Sequence, residues 1–206
     1  MKLTVFGATG PSGQALVRQA LDAGHEVTAF VRNPARLQLE HTRLTLFRGD
    51  VLDQHAVDAA VAGHAAVISA LGIKKGSPKT LHTDGTRRIL AAMKRHGIRR
   101  YVGLSAFGAG DSRDGSLYTR MTWALLRPNL EDKERHEQLV QGSGLDWTLI
   151  RPPRLTNAAA SGRYRVGVDV RMRLTSKVSR GDVAAFAIGQ LEDPTFVRTA
   201  PAIVAT

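Results

Sequence analysis

Residues 2–13 read Lys2-Leu-Thr-Val-Phe6-Gly7-Ala-Thr-Gly10-Pro-Ser-Gly13, a stretch of strand composition that runs straight into a glycine at every third position. A helical pattern over 12–23 follows at once and stops at Gly24. Each glycine has a separate task in such a turn. Gly7 allows the tight bend, Gly10 lets the backbone approach a pyrophosphate, and Gly13 lets the helix sit close on the sheet. The helix N-terminus then offers unbonded N–H groups to an anion. A glycine-rich turn alone is often no more than a turn; the strand before it and the helix after it predict a dinucleotide site.

The same alternation continues outward. Further strands are predicted at 26–31, 44–47, 65–70, 101–104 and 147–150. Between them lie helical patterns: one capped by Asp53 and ended by Gly63, one over 83–96 with Ile89, Leu90 and Met93 on one face, and one over 131–141 ended by Gly142. Ser179-Arg-Gly-Asp182 has capping-box spacing and opens a last helix over 183–191. Parallel strands need crossover connections, so this order predicts an α/β fold, a doubly wound and mostly parallel sheet with helices on both faces. A single domain over 1–206 is expected, with no internal repeat and no linker. Stretches 107–128 and 154–178 show no period and are expected to overhang the carboxyl ends of the strands, where ligands bind.

Composition narrows the chemistry. Of 206 residues, 43% are hydrophobic and 23% charged, a globular balance. The absence of cysteine excludes disulfides, thiolate metal sites and a cysteine nucleophile. The seven histidines show no ligand spacing, so no metal is expected. No apolar run approaches the roughly 20 residues of a membrane span, and no signal pattern opens the chain. A cytoplasmic protein without a membrane partner is expected. The net charge of +11 accumulates after residue 60, is scattered, and is accompanied by only 5% aromatics. That pattern suits small anionic ligands and predicts no sequence-specific nucleic-acid binding. Oligomeric state is not legible.

Arg32 stands directly after the second strand, where a carboxylate would accept from the ribose hydroxyls of NAD, and Arg36 lies a turn beyond it. Two guanidiniums there can clamp a 2′-phosphate, which favours NADP(H); solvated loop arginines are the plainer account. Asp50 and Val51 end the third strand where the adenine should rest, though Asp50 serves equally as a helix cap. Leu71-Gly72 closes the fourth strand beside the cofactor. Ser105 ends the fifth, in position to hold the nicotinamide or a substrate edge, or simply to bond its loop. Tyr-x-x-x-Lys, whose lysine lowers the phenol pKa, is absent: Tyr101, Tyr118 and Tyr164 are followed by Ser105, Thr122 and Val168. Lys133, in the helix before the sixth strand, either faces the site or, the plainer account, is a solvated helix residue. Trp123, Met121 and Leu125 either wall an apolar acceptor pocket or pack a surface helix. Arg154, Arg163 and Arg165 either meet acidic substituents of an acceptor or are solvated.

Taken together, GATGPSG (7–13), FVRNPARL (30–37), GDVLD (49–53), AVISALG (66–72), LSAFG (104–108), SGLDWTLIRPP (143–153) and VSRGDVA (178–184) resemble the atypical short-chain dehydrogenase/reductases, nearest the NADPH-dependent flavin reductase and biliverdin reductase B group. The resemblance implies a Rossmann fold, NADP(H), and hydride transfer to a small-molecule acceptor, with FMN or FAD as a substrate, or a quinone or tetrapyrrole. By position it implies Gly7, Thr9, Gly10, Pro11, Ser12 and Gly13 at the pyrophosphate, Arg32 and Arg36 at the 2′-phosphate, and Asp50 and Val51 at the adenine. It implies Leu71, Gly72 and Pro153 along the cofactor and Ser105 at the nicotinamide. Those reductases carry a histidine where this chain has Arg154. A related branch, regulators resembling NmrA, binds the cofactor as a redox sensor without turnover, and the glycine turn does not separate the two.

Overall fold

The structure, a computed structural model, describes residues 1–74 and 76–206. Six strands form one parallel sheet: β1 (Lys2–Phe6), β2 (Glu26–Val31), β3 (Leu44–Arg48), β4 (Ala66–Ser69), β5 (Arg100–Leu104) and β6 (Asp146–Ile150). Their order is β3-β2-β1-β4-β5-β6, so the winding reverses between β1 and β4. Crossover helices α1 (Pro11–Asp22), α2 (Gln54–Val61), α3 (Leu81–Arg95), α4 (Leu117–Gln141) and α5 (Arg180–Glu192) cover it. The doubly wound Rossmann arrangement expected from the sequence is the one observed.

Strand alternation builds a core on each face. Leu3 and Val5 of β1 join Leu16 and Val17 of α1 and Val183 and Ala187 of α5 on one side. Phe6 joins Phe30, Ile89, Met93 and Tyr101 on the other. Thr4, fully buried on that second side, donates to the Ala60 carbonyl at 2.7 Å, which satisfies its hydroxyl and ties β1 to α2.

The two unpatterned stretches contain more regular structure than their sequence shows. Helix α4 begins at Leu117, capped by Ser116, and runs through Pro128 with a kink at Leu126, whose backbone leaves helical geometry at φ −125° and ψ 20°. A proline inside a helix removes a donor and clashes with the preceding turn, which is the cause of the kink. Beyond β6, strand β7 (Arg154–Thr156) pairs in parallel with β9 (Lys177–Ser179), and β8 (Tyr164–Gly167) pairs antiparallel with β10 (Ala202–Ala205). Among the described residues, no helix is long and apolar enough to cross a membrane.

Candidate functional site

A cleft of about 430 Å³ runs along the carboxyl ends of the strands, at the switch point where such sheets bind ligands. Gly7, Thr9, Gly10, Pro11, Ser12, Arg32, Asp50, Val51, Leu71, Gly72, Ser105 and Pro153 all line it. Residues from the turn after β1 to the start of α5 are thus gathered into one groove.

The glycine turn is built for close approach. Gly7 adopts φ +75°, and a Cβ there would meet the Ala70 carbonyl oxygen at 2.3 Å. Gly13 does not face the cleft; a Cβ on it would fall 2.1 Å from the Gly7 oxygen, so its role is to seat α1 against the turn. Gly10 caps α1 with backbone only, and no side chain takes the first N–H groups of the helix. Those of Ser12 and Gly13 therefore remain available to an anion.

At the β2–β3 end, Arg32 lines the cleft, whereas Arg36 is exposed on a short 3₁₀ turn outside the cleft lining. Asp50 accepts from the Leu52 N–H at 2.9 Å, and the helix cap is Asp53 instead, accepting from the His55 and Ala56 N–H groups. Val51 is buried beside Leu71, and both approach α3 closely because Gly85 has no side chain.

At the β5 end, the Ser105 hydroxyl is buried and has no hydrogen-bond partner. Such a group is costly unless something satisfies it, and here it borders a cleft. Lys133, one turn beyond Asn129, also lines the cleft, and its ammonium donates to the Leu104 carbonyl at 3.0 Å. Burial pushes this lysine down to about 8, against the opposing pull of Glu137 and Asp132. Of the two readings of Lys133 the site-facing one is observed and the plainer, solvated one is corrected: the helix starts far earlier than residue 131, and positions 129 and 133 both line the cleft. His82 borders the same end, and burial, reinforced by Lys133 and His136, holds its imidazole down at about 2. It is neutral at physiological pH.

Asp132 explains how Lys133 is fixed. It is fully buried, and its carboxylate accepts from the N–H groups of His82 and Thr83 and from the Thr83 hydroxyl. A side chain of α4 thus caps α3, and the next residue, about 100° further round the helix, meets the cleft.

The six expected acceptor residues lie elsewhere. Trp123 lines a separate pocket with Arg120 and Arg127; its indole N–H donates to the Gly108 carbonyl at 2.8 Å, and the Arg113 guanidinium lies 3.9 Å over its ring. Met121 and Leu125 are exposed on the outer face of α4. Arg154 is exposed outside the cleft lining while Leu155 lines it, because successive side chains of β7 point to opposite sides. Arg163 and Arg165 are likewise exposed outside it. None of the tyrosines lines the cleft: Tyr101 bonds His136 beneath the sheet, Tyr118 packs edge-on against Phe107, and Tyr164 packs edge-on against Phe186. Asn129 and His82, which carried no sequence motif, and Arg180, noted only as part of a capping box, line the cleft.

This groove and turn define a nicotinamide-dinucleotide-binding Rossmann protein. Residues 7–194 match the NAD(P)H-binding family model, and the chain belongs to that family. YwnB of Bacillus subtilis is 28% identical over 94% of this chain and 93% of its own length. The oxidoreductase ylbE of Lactococcus lactis shares the fold with a TM-score of 0.86 at 18% identity, over 100% of this chain and 91% of that one. ChuY of Escherichia coli O157:H7, an anaerobilin reductase, does so with a TM-score of 0.85 at 23% identity, over 100% and 97%.

Proposed function

We propose that the chain is an NADPH-dependent reductase that transfers hydride to a flavin or a similar conjugated acceptor, such as a quinone or tetrapyrrole. The observation that carries this reading is the β5 end of the cleft. There the unpartnered Ser105 hydroxyl and the Lys133 ammonium line one cleft, in which, among the described residues, no tyrosine is present and Asp50, after β3, is the one carboxylate. The reductase activity of the ChuY neighbour supports the same class.

When bound, the nicotinamide supplies the hydride, and alignment of two stacked rings demands little covalent help from the protein. The glycine turn and the α1 N-terminus hold the pyrophosphate, and Arg32 pairs with the 2′-phosphate. The Ser105 hydroxyl holds the nicotinamide in register. Lys133 has three N–H donors and spends one on the Leu104 carbonyl, leaving two to face the acceptor where negative charge develops. Its lowered pKa lets it release a proton to the reduced acceptor near neutral pH and regain one from solvent.

NADPH oxidation measured against FMN, quinones and tetrapyrroles tests the proposal, and no turnover with any of them overturns it in favour of a binding regulator. The ammonium is present below a pH of about 8 and lost above it, so the rate falls as pH rises through that value. Lys133→Met removes the limb and slows turnover by about a hundredfold, the low end for a lost general acid. Ser105→Ala, which only loosens ring position, slows it by about tenfold.

A further inference from the structure

The cleft carries charge unevenly, and this bears on what the acceptor is; the inference rests on the reductase reading. Among its described lining residues the only carboxylate is Asp50, at the β3 end. Against it the lining holds the cations Arg32, Lys74, Lys133 and Arg180, with His82 neutral. Topology fixes the position of Arg180. After β6 the chain turns at Pro152-Pro153 into β7, whose pairing sets Leu155 opposite Val178 and Thr156 opposite Ser179. Arg180 is the next residue, the first of α5, and lines the cleft together with Leu155 and the double proline.

Arg180 is incompletely satisfied. One terminal nitrogen donates to the Asn157 side-chain oxygen at 2.6 Å, while its Nε is enclosed and without an acceptor. No carboxylate among the described residues forms an ion pair with it. The nearest in sequence, Asp182, spends its oxygens on the N–H groups of Ser161 and Gly162 and on the Ser179 hydroxyl. A guanidinium that lines a cleft and spends one terminal nitrogen on a neutral amide keeps the other for an anion.

We propose that Arg180 sets acceptor specificity by receiving a phosphate or carboxylate carried by the conjugated acceptor, so that the substrates are anionic members of that class. Arg154, Arg163 and Arg165, nearer in sequence to the double proline, do not line the cleft and take no part.

FMN and riboflavin share one reactive ring and differ by a phosphate, so their kcat/KM ratio at saturating NADPH isolates the charge. The unmodified protein should prefer FMN by about tenfold or more, mainly through KM, as expected for a charge-assisted contact. In Arg180→Gln the ratio should fall to within about threefold, and Arg180→Lys should restore part of it. Equal use of both flavins by the unmodified protein overturns the inference while leaving the reductase reading intact. So does a loss of NADPH affinity in Arg180→Gln with the flavin ratio unchanged, since the guanidinium would then serve the cofactor. Where nothing turns over, calorimetric titration of FMN and riboflavin into the NADP⁺-loaded protein decides the matter. An Arg180-dependent preference for FMN upholds the anion site, and none overturns it.

Discussion

Gly10 and Gly13 stand three residues apart in the same turn, yet the structure assigns them opposite vulnerabilities. A methyl at Gly13 would meet the Gly7 oxygen at 2.1 Å and the Ala8 Cα at 2.8 Å, all backbone atoms that cannot swing aside. Overpacking of this kind costs up to about 3 kcal/mol. The better helix propensity of alanine returns at most about 1 kcal/mol. A net loss of about 2 kcal/mol lowers Tm by about 4–8 °C in a chain of this size. At Gly10 the backbone lies at φ −78° and ψ 158°, open to any residue, and the nearest atom to an added methyl is 3.3 Å away. Restricting the unfolded chain stabilises by about 0.4–1 kcal/mol, and the poorer capping of alanine removes a similar amount. Gly10→Ala should therefore melt within about 3 °C of the unmodified protein. Its methyl occupies the path of the pyrophosphate, so NADPH affinity should fall by at least about tenfold, or about 1.4 kcal/mol. Scanning fluorimetry with and without NADPH, backed by calorimetric titration, separates the two effects. A Gly10→Ala protein that binds NADPH as tightly as the unmodified one would refute the placement of the pyrophosphate, and an undisturbed Gly13→Ala would refute the packing argument.

Arg32 lines the cleft where a 2′-phosphate would sit and Arg36 does not, so NADPH should bind over NADH by more than about tenfold. Titration should show that preference lost in Arg32→Ala and largely kept in Arg36→Ala; equal affinities in the unmodified protein would contradict it. Asp132→Ala strips two N–H groups and a hydroxyl of a charged acceptor, and urea unfolding should show a loss of about 3 kcal/mol or more.

The legible part of the site was the part written in local sequence. The turn, Arg32, Asp50-Val51 and Leu71-Gly72 each begin within a residue or so of the end of a strand whose pattern is unmistakable, and apart from Ala8 and Gly13 they line the cleft. What sequence misplaced depends on α4. Its first half turns Leu117, Met121 and Leu125 outward, which inverts the usual pattern, and Pro128 reads as a stop. With the helix started at residue 131, nothing links Asn129 to Lys133 or brings Trp123 under Arg113. Strands β7 and β9, at three residues each, are too short to show a period, so the alternation that buries Leu155 and exposes Arg154 was invisible. Lys133 shows most clearly why. Its own residue type and neighbours suit a solvated helix; what directs it is Asp132, buried against the start of α3 fifty positions earlier in the chain. A carboxylate that caps one helix fixes the rotation of another, and that rotation alone decides whether the adjacent ammonium meets water or the cofactor cleft.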